Sequence, residues 1–267
     1  MANYEVPKEI RPLAKRIQDF SYAHGYDCMN VFSDFLTYII HGFSPGAPPL
    51  KSWRYKRRQN VAFMEMTAEW IRLMHDRLKD DKSWYDAFGD LYMAFSSKKG
   101  QQVQGQFFTP VPICDLMVLC TGTEEKKSGR RINDPTCGSG RLLLAYHVRN
   151  LGNYLVGEDI NHTCCLMTVC NMLVHGCVGE VIHHDSLLPD RFINGWHVNP
   201  FLTRTGIPSI RRMSEIEYRT SRGLPVDRTL EKGEILKGNR YGKSPAINSA
   251  GQCKQSHNPI NKYSLIH

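Results

Sequence analysis

Residues 134–140 read Asp-Pro-Thr-Cys-Gly-Ser-Gly, after the strand-like Arg131-Ile132-Asn133 and before a helix-like run over 141–151. Glycines 138 and 140 allow a ligand close to the backbone, and the start of the next helix leaves N–H groups free for an anionic or carboxylate-bearing cofactor. Strand, glycine turn and helix in that order are the grammar of a nucleotide-type cofactor turn. A glycine pair alone also serves any tight strand-to-helix connection, so the flanking segments decide between the two.

Downstream of residue 105 helix and strand signals alternate. Thr109 can cap, and Pro110 can open, a helix running to about residue 120, with Gly122 placed to stop it. A charged loop over 124–130 leads into the first strand. Residues 153–160 predict a second strand, 163–175 an apolar-faced helix, and 180–184 a third strand. This is the start of a βαβαβ unit, whose mainly parallel sheet, joined by right-handed crossovers, holds its ligand at the carboxyl ends of the strands.

Upstream the pattern is helical. Ile10, Leu13, Ile17 and Phe20 fall at helical spacing, as do Val31, Phe35 and Ile39, and a turn-rich stretch over 42–49 follows them. A long helix over 58–78 aligns Phe63, Met66, Trp70, Leu73 and Met74 on one face, and a shorter helix spans 84–95. Residues 1–100 are therefore expected to form a helical N-terminal domain, with these aromatics as core. The run 51–58 (KSWRYKRR) mixes cations with aromatics, which fits either phosphate contact or a solvated helix start.

The chain has 267 residues, 41% of them hydrophobic, enough for one α/β domain and a helical appendage. No apolar run approaches the ~20 residues of a membrane span, and the first sixteen residues lack the apolar core of a signal peptide, so a cytoplasmic location is expected. Nine cysteines at irregular spacing, with no Cys-x-x-Cys pair, read as reduced core residues and not as a disulfide or zinc framework. The formal charge of +8 is concentrated in residues 200–267, which hold twelve Lys/Arg against five Asp/Glu. Residues 203–267 are expected to be a basic, weakly ordered tail, able to track phosphates or simply solvated.

Four segments in order, Gly105-Gln106-Phe107-Phe108-Thr109-Pro110, the turn 134–140, Gly157-Glu158-Asp159-Ile160-Asn161 and Asp185-Ser186-Leu187, resemble the N6-adenine DNA methyltransferase family. The likeness is closest to the modification subunit of type I restriction-modification systems and covers about residues 84–200. It implies a Rossmann-like S-adenosylmethionine-dependent methyltransferase sheet over 101–202, left incomplete by the tail. It also implies S-adenosyl-L-methionine as cofactor, DNA as substrate, and specificity and restriction subunits as partners.

The same resemblance assigns the cofactor contacts. Asp134 with Gly138, Ser139 and Gly140 surrounds the methionine part, Thr109 and Pro110 meet its carboxylate, and Asp185 accepts the adenine amine. Asp159 is the acid for the ribose diol, because an ionised carboxylate can accept two hydrogen bonds at once; Glu158 replaces it if the strand register shifts by one. His183 and His184, adjacent on a strand, point to opposite faces and cannot chelate together.

The resemblance weakens at the catalytic motif. The family carries Asn/Asp-Pro-Pro-Tyr/Phe after the fourth strand, where the first side chain and a proline carbonyl hold the target amine and the aromatic stacks on an extruded base. Here the candidate is Asn199-Pro200-Phe201, one proline short, with no metal. Residues 191–198 make a poor central parallel strand, because Asn194, Gly195 and His197 interrupt the apolar run. Two readings follow: an adenine-specific DNA methyltransferase, or a methyltransferase-like protein that binds cofactor and DNA or partner subunits without transfer. A dinucleotide-binding dehydrogenase would need a longer glycine fingerprint.

Overall fold

The computed structural model describes residues 6–50, 53–96, 108–121 and 128–226. Helices come first, as the apolar spacing requires: α1 (Arg11–His24), α2 (Cys28–Gly42), α3 (Asn60–Arg77) and α4 (Ala87–Phe95). The Asp27 carboxylate accepts the Asn30 N–H at 2.9 Å and caps α2, a contact worth about 1 kcal/mol. Tyr55 and Trp53 pack with Phe63 in an aromatic cluster, and Tyr55 Oη donates to Asp34, which also pairs with Arg54. The aromatics of the 51–58 run are thus core, and Lys56, Arg57 and Arg58 remain exposed before α3.

The remaining elements are α5 (Val111–Cys120), β1 (Arg131–Asp134), α6 (Arg141–His147), β2 (Tyr154–Asp159), α7 (His162–Val174), β3 (Gly179–His183), β4 (Asn194–Val198), α8 (Leu202–Thr205), β5 (Ile210–Arg212) and α9 (Glu215–Ser221). Pro110, not Thr109, occupies the position before α5, and no side chain caps that helix. The expected stop at Gly122 lies outside the described residues. All elements fall within Met1–Leu224, one of two units into which the chain divides; of Pro225–His267 only 225 and 226 are described.

The five strands stand in the order β1-β2-β3-β4-β5. β1, β2 and β3 are parallel, as the βαβαβ pattern requires, and α6 and α7 are the crossovers. β4 then turns back antiparallel on β3, and β5 antiparallel on β4. The sequence expectation of a poor parallel strand over 191–198 is corrected in this respect. An antiparallel strand tolerates one half-polar face: Trp196 and Val198 are buried while Asn194 and His197 are partly exposed. A Cβ at Gly195 would lie 3.0 Å from the Met213 side chain, which would have to give way to it.

One face of the sheet carries the main core. α7 lies over β2, β3 and β4, α6 over β1, and α2 and α4 pack on α7 as a further layer. A single cluster of buried side chains runs from Ile10 through Phe35, Trp70 and Phe88 to Leu144, Leu155, Trp196 and Ile210. The expected boundary at residue 100 therefore does not separate two cores among the described residues. The other face is covered by α9, whose Tyr218 packs with Val156, Ile182 and Met213. Buried Glu158 and Glu180 on that face are paired by Arg222, and Glu180 also by Arg131.

The tail expected from residue 203 begins with structure. β5 extends the sheet, and Ser214 with Glu217 forms a reciprocal capping box at the start of α9. The weak order expected beyond Gly238 lies outside the described residues. No described helix is long and apolar enough to cross a membrane.

Candidate cofactor site

β1 ends at Asp134, and the chain turns through Gly138 (φ 56°) and Gly140 (φ 89°) into α6. Both glycines hold left-handed conformations that a side chain would strain. Both are also closely covered: a Cβ at position 138 would lie 3.0 Å from the Phe108 ring, and one at 140 would lie 3.2 Å from Thr168. The turn is held from β2 by Asp159, whose Oδ2 accepts the Gly138 N–H at 2.9 Å and whose Oδ1 accepts the Asn161 N–H at 2.7 Å.

The carboxyl ends of all three parallel strands converge here. His184 N–H donates to the Asp159 carbonyl at 3.1 Å and the register pairs Asp159 with His183, so Asp185 lies two residues beyond the paired ends of β2 and β3, and Ser186 Oγ donates to the Pro135 carbonyl at 2.6 Å. Thr109 is drawn in from α5, its carbonyl accepting Arg141 Nη1 at 3.3 Å. Asp134, Asp159, Asp185, Gly138, Gly140 and the Phe108-Thr109 segment are thus brought to one edge of the sheet. Residues 105–107 of the first segment lie outside the described residues.

Burial pushes the Asp134 and Asp159 carboxyls above the usual carboxylate range, and Asp159 raises Asp134 further. Backbone N–H groups oppose the rise at both, but desolvation prevails. Two half-buried acids side by side favour a cationic guest. Each Asp159 oxygen keeps a lone pair after its backbone bond, so the ribose diol has acceptors available. The donor set therefore fits a ligand with ammonium, sulfonium and diol groups, which is the chemistry of S-adenosylmethionine.

Other expected site residues are placed elsewhere. Ser139 points into the helical layer: its Oγ donates to Asp86 Oδ2 at 2.5 Å, and its side chain is buried away from the turn's open side. Pro110 is exposed at the start of α5. Glu158 faces the opposite side of the sheet, 3.1 Å from His184 Nε2 and 3.2 Å from Arg222, so the register selects Asp159. His183 contacts the Ile160 carbonyl through Nε2 at 3.1 Å, whereas His184 meets Tyr218, so the two rings part as adjacent strand residues must.

The catalytic candidates are not at this site. Because β4 runs antiparallel to β3, with Val198 opposite Gly179, residue 199 emerges at the amino end of the parallel strands. Asn199 is wholly buried at φ 53°, and its Nδ2 donates to the carbonyls of Cys177, Leu173 and Met172 at 3.0, 3.1 and 3.4 Å. Its Oδ1 accepts the Ser209 N–H at 3.2 Å. This amide closes the carboxyl end of α7, and its oxygen is buried with the rest of the side chain, out of reach of a target amine. Pro200 follows it in the turn, and Phe201 is exposed with the Arg204 guanidinium over its ring. Asn199, Pro200 and Phe201, expected to hold a flipped base, are thus not brought to the acid-lined turn.

A network that the sequence did not reveal supports the turn from behind. The buried Asp86 carboxylate accepts Ser139 Oγ, Arg141 Nε at 2.6 Å, Asn171 Nδ2 at 2.7 Å and the Gly89 N–H at 2.7 Å. Arg141 also binds Asp90 at 2.9 Å. Asp86 is legible only as a cap of α4, because its other partners lie more than fifty residues away.

Comparison with known proteins agrees with this geometry. Residues 83–201 match the family model described as N-6 DNA methylase. The chain is similar to the type I restriction enzyme MjaVIII methylase subunit of Methanocaldococcus jannaschii, 30% identical over 118 residues, covering 40% of this chain and 20% of the relative. It is also similar to the MjaIX methylase subunit of the same organism, 26% identical over 121 residues, covering 41% of this chain and 21% of the relative. The chain thus spans about a fifth of the length of these curated relatives. No solved structure matches it. The matched segment begins three residues before Asp86 and ends at Phe201, so it takes in α4, the glycine turn and all three parallel strands: over residues 83–201 this chain is similar to the N-6 DNA methylase family.

Proposed function

We propose that this chain is the S-adenosylmethionine-holding part of an adenine-specific DNA methylase of restriction-modification type, and that alone it binds the cofactor without delivering the methyl group. The observation that carries this reading is the separation of the Asn199 amide from the acid-lined turn. In this reading it works in the cytoplasm on DNA, with specificity and restriction subunits, as the kinship to methylase subunits implies.

When bound, the cofactor supplies an electrophilic methyl on a sulfonium. Asp134 offsets the cationic methionine end, Asp159 accepts the ribose hydroxyls, and Asp185 accepts the adenine amine. The glycines of the turn make room for Phe108 and Thr168, and Phe108 and Thr109 close the side toward α5. Among the described residues, the Asn199-Pro200-Phe201 segment that would hold the target amine and stack on an extruded base, as transfer to adenine requires, lies away from this edge.

Calorimetric titration with S-adenosylmethionine, paired with tritiated methyl transfer to unmethylated duplex DNA, tests both parts. Saturable heat and no transfer by the chain alone are expected. A folded protein giving no heat sinks the cofactor reading, and transfer by the isolated chain sinks the assignment of Asn199 to structure.

A further inference from the structure

The loop between β3 and β4, residues 184–193, carries Asp185 and is tied down at several points. At its base the Ile193 N–H donates to the His183 carbonyl at 3.2 Å, and on the cofactor side Ser186 Oγ holds the Pro135 carbonyl. Between these points the chain turns on Asp185 itself. Its Oδ1 accepts the Leu187 N–H at 3.0 Å, and its backbone carbonyl accepts the Leu188 N–H at 2.9 Å. A carboxylate that closes its own turn points where the turn sends it. The other oxygen, Oδ2, has no bonded partner among the described residues.

The far half of the loop is held by α9. Tyr218 is wholly buried; its Oη donates to the Pro189 carbonyl at 2.7 Å and lies 3.2 Å from His184 Nδ1. Its ring stacks on Phe192 with centroids 4.8 Å apart, and the neighbouring Arg219 donates from Nη2 to the Asp190 carbonyl at 3.0 Å. Two adjacent helix residues thus grip the loop on both sides of the Asp185 turn. α9 is itself fixed at its start by the Ser214–Glu217 capping box and at its end by Arg222, which pairs with Glu158 and Glu180. Pro189 and Asp190 are exposed, so their carbonyls could exchange Tyr218 and Arg219 for water, and the loop keeps its shape only while α9 stays in place.

We propose that Tyr218 is a positioning residue of the cofactor site: through the 184–193 loop it aims the Asp185 carboxylate, and α9 thereby sets how strictly the site requires an amine on the nucleobase. The inference rests on the functional reading above, in which Asp185 accepts the adenine amine. An ionised carboxylate fixed in one direction favours a ring that offers N–H and rejects one that offers a carbonyl oxygen, whereas a carboxylate free to swing discriminates less sharply. Tyr218 lies beyond Phe201, where the matched segment ends, so the selectivity of the site depends on a helix outside that segment.

Calorimetric titration of the full chain with two ligands tests this: S-adenosylhomocysteine, and the same molecule with hypoxanthine in place of adenine, which presents a carbonyl where adenine presents its amine. Wild type should prefer the adenine form by about tenfold or more. Tyr218→Phe keeps the stacked ring and removes the O–H. It should weaken the adenine form about fivefold and the hypoxanthine form by less than about twofold, narrowing the preference. With Asp185→Asn already in place, Tyr218→Phe should narrow it no further. In the ligand-free chain, amide hydrogen exchange over 184–190 should quicken in Tyr218→Phe while the amides of β1, β2 and β3 keep their wild-type rates. Equal loss for both ligands, the mark of a residue that only supports the fold, overturns the proposal. So does an unchanged preference, unchanged exchange in the loop, or a wild type that binds the two ligands alike, each of which leaves the cofactor reading standing. A wild-type chain that binds neither ligand sinks the cofactor reading and this proposal with it, so the two failures are told apart.

Discussion

The side-chain amide of Asn199 donates to the Cys177 carbonyl at 3.0 Å, joining the residue after β4 to the loop before β3. Two further carbonyls at the end of α7 share the same donor group. Asn199→Ala should therefore lower the unfolding free energy by about 2–4 kcal/mol, because buried carbonyls lose their partner and a left-handed backbone loses the residue type that tolerates it. Chemical denaturation measures this. In the folded variant S-adenosylmethionine affinity should stay within about twofold of wild type, whereas a residue of the reacting centre would change ligand behaviour before stability.

Asp159→Asn keeps an oxygen to accept the Gly138 N–H but removes the charge and one acceptor. Loss of about 1.5–3 kcal/mol in cofactor binding is expected, roughly ten- to a hundredfold in affinity. Glu158→Gln, on the other face, should leave affinity unchanged and lower stability through Arg222 and His184. Titration calorimetry of the pair separates the two faces of β2, and equal effects would contradict the register.

Acidification should weaken cofactor binding earlier than ordinary aspartates would allow. Asp134 and Asp159 have pKa values raised by burial, so in the free protein they take up protons at pH values above the usual carboxylate range. A cationic ligand favours their ionised forms. Affinity is then full above the raised values and falls as pH drops through them, while the free protein is relatively stabilised over the same interval because its folded state binds more protons than the unfolded chain. Binding curves at stepped pH check the direction, and Asp159→Asn should flatten them.

His175 gives an opposite dependence for stability. Its Nε2 accepts the Tyr85 N–H at 3.1 Å, which leaves Nδ1 to donate to the Asn171 carbonyl at 2.7 Å, and burial lowers its pKa to about 4. Between the unfolded value and that lowered value the unfolded chain binds more protons. Stability is thus retained at neutral pH and lost as pH falls from about 6.5 toward 4. Urea denaturation at pH 7 and 5 should show the loss, and His175→Gln should reduce the slope.

Gly138→Ala places a Cβ at a left-handed φ and against the Phe108 ring. A cost of about 1–2 kcal/mol in stability is expected, with weakened cofactor binding because Phe108 must shift. Thermal unfolding and calorimetry together check it. An unchanged melting point would show that the turn can open without loss.

The parallel half of the fold and the acid-lined turn were legible because their signals are local. Asp134 and Asp159 end short strands, and Gly138 lies in the turn that leads directly from the first of them into a helix. β4 was not legible, because Asn194 and His197 argue against a buried parallel strand and say nothing about an antiparallel one. Asn199 was misplaced for the same reason: its sequence neighbourhood fixes that it follows a strand, but strand direction decides at which edge of the sheet it emerges. The bonds from Asp86 to Arg141, Ser139 and Asn171 span distances along the chain over which no periodicity carries information.

Those Asp86 bonds also define the smallest excisable fragment. A recombinant piece starting at residue 101 would retain every glycine of the turn yet leave Arg141, Ser139 and Asn171 without their shared acceptor. Measured by what must stay attached for the turn to keep its shape, the cofactor module starts ahead of α4, on the helical side of the chain.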